Sequence, residues 1–411
     1  MTAAPPSVSL IIVSRHRQAA LLRALAAVAQ MDHPSFEVIV VADPAAAETV
    51  RASGMPVKLA ECDAANISLA RNIGLGLAAA GVVAFLDDDA VPEPTWLSRL
   101  AAPFLDDRVT QAGGYVRGRS GFDWQWRAAR VDACGVDHPF DPGPEVTLHT
   151  GTATLAVKTQ GTNCAFRRDA LLAVGGFDPA FRFYLDEADV NLRLAARGGL
   201  SAIVPGAVVH HGFAASERRR ADRVPTDLFE IGASIAAFLR RHAPDDRATL
   251  AAQEAEQRAR LIRHMVSAGL EPRDVPRLLA GFRAGAADGA ARPLRPDLAS
   301  PPVSTPQPVP PDFLPLPGTG PRPGRVLEGR DIDRVRDAAA SAVGSHHIVT
   351  LFRLTRGFRA QVQQFHPGGW WEVSGGRFGR VHRDHPAPRL APATVRRQAT
   401  IRLLSTLRPV E

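Results

Sequence analysis

Short apolar segments alternate with amphipathic ones from Val8 to about Gly212, and this alternation constrains the fold more than any other property of the sequence. The segments VSLIIV, FEVIVVA and VVAFL read as strands, with VKLAEC as a further one. Between them QAALLRALAAVAQ and ISLARNIGLGLAAAG read as helices. Strand–helix–strand repetition predicts an α/β fold on a mainly parallel sheet flanked by helices. Leu228, Ile231, Ile235, Phe238 and Leu239 recur at helical spacing and predict a helix over 228–241, followed by another over 248–265. Twelve prolines between Pro293 and Pro323 then read as a stiff, extended linker that holds the rest of the chain at a semi-rigid distance. The expected organisation is an α/β unit over 1–225, a helical extension over 226–292, the linker over 293–325, and a small C-terminal module over 326–411.

A chain of 411 residues has room for two cores, and 45% apolar with 22% charged residues is ordinary for a soluble globular protein. The formal charge is +7, and Lys58 and Lys158 are the only lysines among 49 basic residues, a bias that reflects base composition more than selection at each site. A positive balance favours phosphorylated substrates or other anionic partners. Nucleic acid is not expected, because the arginines are dispersed and Trp124, Trp126, Trp370 and Trp371 lie outside any recognisable binding module. Cys62, Cys134 and Cys164 fit neither a disulfide framework nor a zinc pattern, and the N-terminal stretch lacks a basic segment before its short apolar run. With no run of 18 apolar residues, a cytoplasmic location is expected.

The chemistry is signalled by VVAFLDDDAVPEP, where three carboxylates follow a buried strand directly. The carboxyl ends of parallel strands are where open α/β sheets bind ligands. In an extended turn Asp87 and Asp89 project to similar sides, so one divalent cation can bridge them and a pyrophosphate. A hard ion, Mg²⁺ or Mn²⁺, suits carboxylates completed by phosphate oxygens.

Several segments, taken in order, resemble glycosyltransferase family 2, the inverting nucleotide-sugar transferases of the GT-A fold. SLIIVSRHRQAALLRAL is similar to the family's opening strand, with Ser14 and Arg17 matching and Val13 and His16 departing from the pattern. FEVIVVADPAAAET stands in the place of the family's acidic strand end, keeping Asp43 but carrying Ala42 where the first aspartate is usual. ISLARNIGLGLAAAGVVAFLDDD matches most closely, placing Arg71, Asn72 and the acidic triplet at the family's spacing. GTNCAFRRDALLAVGGFDPAF resembles the acceptor-side segment, and YLDEADVNLRL the family's catalytic acidic motif with its acidic pair reversed. The resemblance covers about residues 7–213.

It implies a metal-dependent transferase that moves a sugar from a nucleotide-diphospho-sugar donor to a glycan or lipid-linked acceptor, in cell-surface polysaccharide synthesis. Glu187 aligns with the general base, and Asp186 is the neighbour able to substitute. Ser14, Arg17, Asp43, Arg71, Asn72, Asp87 and Asp88 are expected on the donor, and Arg218 is expected to close over its diphosphate because guanidinium binds phosphate bidentately. Asp87 and Asp89 are the expected metal ligands, joined by a histidine, with His210 favoured over His211. Two other readings stay open: a haloacid-dehalogenase-type phosphatase using the D-x-D-x-V motif with Lys158 and Asp186 or Asp189, and a non-catalytic nucleotide-binding adaptor. The tail ATVRRQATIRLLSTLR reads either as a helix packed on its own module or as a basic amphipathic helix on anionic lipid, which would place the enzyme at the inner face of the membrane.

Overall fold

The computed structural model of the chain describes residues 4–212, 216–244, 246–295, 311–329, 331–385 and 392–410. It begins with β1 (Val8–Ser14), α1 (Gln18–Val28), β2 (Phe36–Ala42), α2 (Pro44–Ala52), β3 (Lys58–Glu61), α3 (Ile67–Leu77) and β4 (Val82–Asp87). Next come β5 (Ala90–Pro92), α4 (Trp96–Ala101), β6 (Val109–Arg117), β7 (Trp124–Trp126), β8 (Ala129–Asp132), β9 (Asp137–Pro139), β10 (Thr147–His149) and β11 (Leu155–Lys158). The α/β unit closes with β12 (Cys164–Arg167), α5 (Arg168–Ala173), α6 (Asp186–Ala196) and β13 (Leu200–His211). The main sheet runs β10-β13-β6-β12-β4-β1-β2-β3, with β5 added to β13 and β7 to β6. Its β1–β2, β2–β3, β1–β4 and β6–β13 pairs are parallel, while β12 lies antiparallel between β4 and β6.

Both faces of this sheet are covered, which is why its central strands are mostly apolar; the buried exceptions, Ser9 of β1 and Glu37 of β2, satisfy each other, with Ser9 Oγ donating to Glu37 Oε1 at 2.6 Å. Along β1, Leu10 and Ile12 face a core with Leu21, Leu25, Trp96 and Leu100, while Ile11 points the other way, to Phe85, Phe166 and Phe177. The strand order turns back at β1, which has β2 on one side and β4 on the other. A crevice therefore opens at the carboxyl ends of β1 and β4. The register Val13↔Asp87 sets Ser14 beside the acidic turn.

Three helices follow: α7 (Phe229–His242), α8 (Arg247–Val266) and α9 (Asp274–Ala291). The crossing of α7 and α9 is a backbone-to-backbone contact that only glycine permits. A Cβ at Gly285 would stand 1.9 Å from the Phe229 carbonyl oxygen, and one at Gly289 would stand 2.0 Å from that of Ala233. This pair shares a core with α6, in which Phe238, Leu239 and Phe282 pack with Phe181, Leu185 and Leu192. The helical extension thereby buttresses the helix that carries Asp186 and Glu187.

The C-terminal module consists of β14 (Gly324–Glu328), α10 (Ile332–Gly344), β15 (Ile348–Thr355), β16 (Val362–His366), β17 (Trp370–Gly376) and α11 (Ala393–Leu404), its sheet ordered β14-β15-β17-β16. One side of the sheet packs on α10 through Val349, Leu351 and Trp370. The other side packs on the α/β unit, where Ile348, Phe365 and Trp371 meet Ala27 and Val91, and Phe352 and Val373 meet Phe122.

This corrects the expectation of a module held at a distance. The linker's residues 296–310 lie outside the described residues, but Pro311–Pro323 run along the α/β unit. Leu314 and Leu316 keep the N–H that proline lacks. Leu316 N donates to the Phe36 carbonyl at 2.8 Å, Leu314 N donates to the Glu37 carboxylate at 2.9 Å, and the Leu316 side chain enters the main core.

The lipid-lying reading of the tail is corrected as well. Leu404 and Leu407 are buried, and the Arg396 guanidinium is enclosed by the carbonyls of Arg377 and Gly379. The Arg408 side chain has no exposed surface. Leu404, Leu407 and two of the tail's arginines are thus already used inside the protein, and Val395 alone among its large apolar residues stays largely exposed. No helix among the described residues is long and apolar enough to cross a membrane.

Candidate functional site

The three aspartates divide into one that turns inward and two that face a shared space. Asp88 is fully buried, accepting from Ser14 Oγ at 2.7 Å and pairing with Arg17 Nη2 at 2.8 Å. Burial pushes its carboxyl up to about 7, aided by Asp89 and Asp87 and opposed by Arg17 and Ser14. Arg17 Nη1 also approaches Asp89 at 3.5 Å. Ser14 and Arg17, expected on the donor, are therefore engaged in holding the acidic turn.

Asp87, Asp89 and His211 each offer a ligand atom, and these atoms lie within 4.8 Å of one another. His211 Nε2 stands 3.3 Å from Asp89 Oδ1, while Nδ1 is 3.2 Å from Gln125 Oε1. Donation from Nδ1 to Gln125 leaves the Nε2 lone pair facing two carboxylates, an arrangement that a cation resolves and that metal-binding histidines use to fix their tautomer. Two carboxylates and an imidazole are a donor set that suits Mn²⁺ and also takes Mg²⁺. The Trp126 ring lies 5.5 Å from the imidazole and shields it.

His210, the histidine favoured from the sequence, is corrected to a different role. Successive side chains of a strand face opposite ways, so it points away from the aspartates. Its Nε2 lies 2.8 Å from Glu93 Oε1 and its ring 4.7 Å from Trp371.

Arg71 joins the acidic turn to the expected base. Its guanidinium is buried, with Nη1 at 2.5 Å from Asp186 Oδ2, Nη2 at 3.4 Å from Asp87 Oδ1, and Nη2 donating to the Gly161 carbonyl at 3.0 Å. Phe85 and Phe177 flank it, at 5.7 and 5.3 Å from ring centroid to Cζ. A side chain at position 161 would meet Arg71 Nη2 at 2.7 Å, so the guanidinium needs a glycine there. The neighbouring Asn72, expected on the donor, clamps the backbone of Phe177: Nδ2 donates to the Phe177 carbonyl at 2.7 Å, and Phe177 N donates to Oδ1 at 2.9 Å. Asp43 caps α2 by accepting from Ala46 N at 3.2 Å, and accepts from His16 N at 2.7 Å. His16 has a φ of 58°, so this carboxylate pins a strained turn at the end of β1.

Two consecutive residues, Tyr184 (φ 77°) and Leu185 (φ 64°), adopt the left-handed conformation before α6. Strain of this kind persists where surrounding structure enforces it. Here the buried Leu185 side chain sits in the core shared with α7 and α9. The turn delivers Asp186 and Glu187 to the first turn of α6, where the helix dipole favours negative charge. Asp186 is committed to Arg71. Burial and the adjacent Asp186 charge push the Glu187 carboxyl well above the usual range, with Lys158 and Arg71 opposing. Lys158 itself is nearly enclosed and pairs with Asp137 at 2.8 Å. Asp189, by contrast, is structural: Arg193, Arg241 and His242 reach it at 2.5, 2.8 and 3.0 Å and tie α6 to α7.

Arg218, expected to close over the diphosphate, packs on Phe183. Its Cζ lies 4.9 Å over the Phe183 ring. Arg220 bonds to Asp222 and to the Gly269 carbonyl. Burial holds the Arg219 guanidinium below its ordinary range, with Asp89 opposing. Residues 213–215 of the same segment lie outside the described residues. The phosphatase reading finds no support in this geometry, since Lys158 is bound to Asp137 and Asp189 is locked between helices. Sequence reasoning missed Gln125, Trp126, Lys158 as a neighbour of the base, and Glu93. A signal for Glu93 was available, as a fourth carboxylate inside the quoted DDDAVPEP stretch.

A protein-family model described as "Glycosyltransferase like family 2" matches residues 5–223. Among curated proteins, the chain is 27% identical over 243 residues to the O-antigen biosynthesis protein RfbC of Myxococcus xanthus, covering 54% of this chain and 18% of that protein. It is 30% identical over 114 residues to the glucosyl-dolichyl phosphate glucuronosyltransferase of Haloferax volcanii, covering 27% of this chain and 34% of that one. The chain thus spans well under half the length of either curated relative. Among solved structures, the mannosyltransferase PcManGT from Pyrobaculum calidifontis, in complex with GDP-Man and Mn²⁺, aligns at 17% identity and a TM-score of 0.42, covering 70% of this chain and 89% of that one.

Proposed function

The chain belongs to glycosyltransferase-like family 2, and from that premise we propose that it transfers a sugar, with inversion, from a nucleotide-diphospho-sugar to a glycan or lipid-linked acceptor. The observation that carries this reading is the joining of a cation-binding group, Asp87, Asp89 and His211, to a carboxylate pair, Asp186 and Glu187, through the single guanidinium of Arg71. Both curated relatives carry names from glycan assembly, O-antigen in one and a dolichyl-phosphate glycolipid in the other, which supports an acceptor of that kind.

In this reading Asp87, Asp89 and His211 would hold Mn²⁺ or Mg²⁺, and the ion would supply Lewis-acid stabilisation of the charge that develops on the departing diphosphate. Asp88, bound to Ser14 and Arg17, keeps the turn rigid so that its two neighbours point together. Glu187 accepts the proton of the acceptor hydroxyl as that oxygen bonds to the anomeric carbon. The bond from that carbon to the β-phosphate oxygen breaks, and its electron pair leaves with the nucleoside diphosphate. A base with a raised pKa is better matched to an alcohol proton than an ordinary carboxylate, and the Asp186 charge beside it supplies part of that rise. Arg71 pairs with Asp186 and Asp87 together, so that the two acidic centres can lie side by side.

A thermal-shift screen of nucleotide-sugars tests this function, because a ligand that binds the folded state raises apparent stability. One nucleotide-sugar should raise the melting temperature in the presence of Mn²⁺ and lose that effect in chelator. Stabilisation by none of them overturns the proposal. Stabilisation without any release of nucleoside diphosphate favours the nucleotide-binding adaptor.

A further inference from the structure

The two metal-facing residues of the β-ribbon have a buried charge cluster behind them, built by the C-terminal end of the chain. β5 follows Asp89 directly and pairs with the end of β13 as Val209↔Pro92, His210↔Val91 and His211↔Ala90, and Gly212 N donates to the Asp89 carbonyl at 2.8 Å. A strand of three residues, attached beside the main order of the sheet, has little stability of its own. The back of the ribbon is covered by the C-terminal module, where Val91 packs with Ile348, Phe365 and Trp371. At its centre Glu93, fully buried, accepts from Arg408 Nη1 at 3.0 and 3.2 Å and meets His210 Nε2 at 2.8 Å. Arg408 Nη2 donates to Gln363 Oε1 at 2.8 Å, and its Cζ stands 4.0 Å over the Trp371 ring.

We propose that Arg408 is a positioning residue for the cation site, acting through Glu93 and His210 to fix the β5–β13 ribbon whose opposite side presents Asp89 and His211. Consecutive residues of one strand cannot move independently. His210, clamped between Glu93 and Trp371, therefore sets the direction of His211. Arg408 supplies the positive charge without which the Glu93 carboxylate would be left under-compensated in an apolar setting. The C-terminal module is thus part of the apparatus that shapes the site, although it contributes no residue that touches the cation. The inference rests on the reading of Asp87, Asp89 and His211 as a cation site.

The test uses the full chain and Mn²⁺ alone, titrated by electron paramagnetic resonance, with melting temperatures recorded in parallel. Arg408→Met should weaken Mn²⁺ binding by about 10–100-fold, the range seen when groups behind metal ligands are removed. Arg408→Lys should restore part of the affinity. Because Arg408→Met leaves Glu93 under-compensated, the double variant Glu93→Gln with Arg408→Met is made as well. It removes both charges and should fold stably while still binding Mn²⁺ weakly. Val349→Ala, on the module's α10 side, should lower the melting temperature and leave Mn²⁺ affinity unchanged. Native Mn²⁺ affinity in Arg408→Met and in the double variant overturns the proposal, and so does a Val349→Ala variant as weak in Mn²⁺ as Arg408→Met. If the unmodified protein binds no Mn²⁺, the cation reading itself is overturned. If it does bind Mn²⁺ and Asp89→Asn abolishes this while the Arg408 variants bind normally, the role of Arg408 alone falls.

Discussion

Arg71 Nη1 lies 2.5 Å from Asp186 Oδ2 while Nη2 of the same guanidinium lies 3.4 Å from Asp87 Oδ1, so one buried cation holds the acidic turn of β4 and the first turn of α6 together. Residues 16 and 115 positions away in sequence are fixed at adjacent points by this contact. Removing one partner of a buried pair costs roughly 3–5 kcal/mol, because the other charge is left uncompensated. Arg71→Met should therefore lower the denaturation midpoint strongly and abolish turnover. Arg71→Lys should recover much of the stability but not the activity, since an ammonium cannot span both carboxylates as a planar fork does. Native-like activity in Arg71→Lys would show that the bridge is dispensable.

Glu187→Gln keeps the shape of the side chain and cannot accept a proton, so turnover should fall by about 10²–10⁴-fold with nucleotide affinity unchanged. Asp186→Asn should act differently, lowering stability through the loss of Arg71's partner. If Asp186→Asn removes turnover and Glu187→Gln is mild, the two roles are exchanged.

The raised Glu187 pKa also makes a prediction about stability. The carboxyl moves from an ordinary 4.5 to about 8 in the folded state. The folded protein then binds this proton more tightly than the unfolded chain, so this group's contribution to stability is full below about pH 4.5 and is lost as pH rises toward about 8. Glu187→Gln lacks that loss. Measured in chelator, the variant should gain stability relative to the unmodified protein across that window and show no further gain above it. A difference that is constant with pH would refute the assignment.

The acidic turn was legible from the sequence because β4, buried on both faces, is apolar up to its last residue, and three carboxylates arriving together at its end have no structural use for all their charges. The helix over 228–241 was legible for a similar reason, its apolar spacing matching α7 (Phe229–His242). The parity of the two histidines was not. β13 shifts register between Val204 and Val208, and one irregular step inverts which side each later residue faces. The docking of the C-terminal module was illegible too, because its decisive contact joins residues 315 positions apart. Composition could report only that a proline-rich stretch is stiff, not that Leu314 and Leu316 would fasten it to β2.

The histidine correction is directly measurable. His211→Ala should weaken Mn²⁺ binding by more than about 100-fold, beyond the range expected when only a group behind a ligand is lost. A full loss of Mn²⁺ affinity in His210→Ala with none in His211→Ala would restore the original assignment.

Docking of the module predicts the outcome of truncation. A chain ending near Arg292 exposes Val91, Ala27 and Phe122 and loses Leu316 from the main core. It should melt lower than the full chain and self-associate. Trp371→Ala in the full chain should cost about 3–5 kcal/mol. Equal thermal stability of the truncated and full chains would return the module to the status of a tethered, independent unit.

With a cation held by Asp87, Asp89 and His211, this site is expected to release a nucleoside diphosphate from a nucleotide-sugar. The most direct test is mass-spectrometric detection of nucleoside diphosphate release across a panel of nucleotide-sugars, with glycan and lipid-linked acceptors supplied, in Mn²⁺ and in excess chelator. Release is expected from at least one donor in Mn²⁺, abolished by chelator and by Asp89→Asn. Release undiminished in excess chelator, or release from no donor at all, would contradict this expectation.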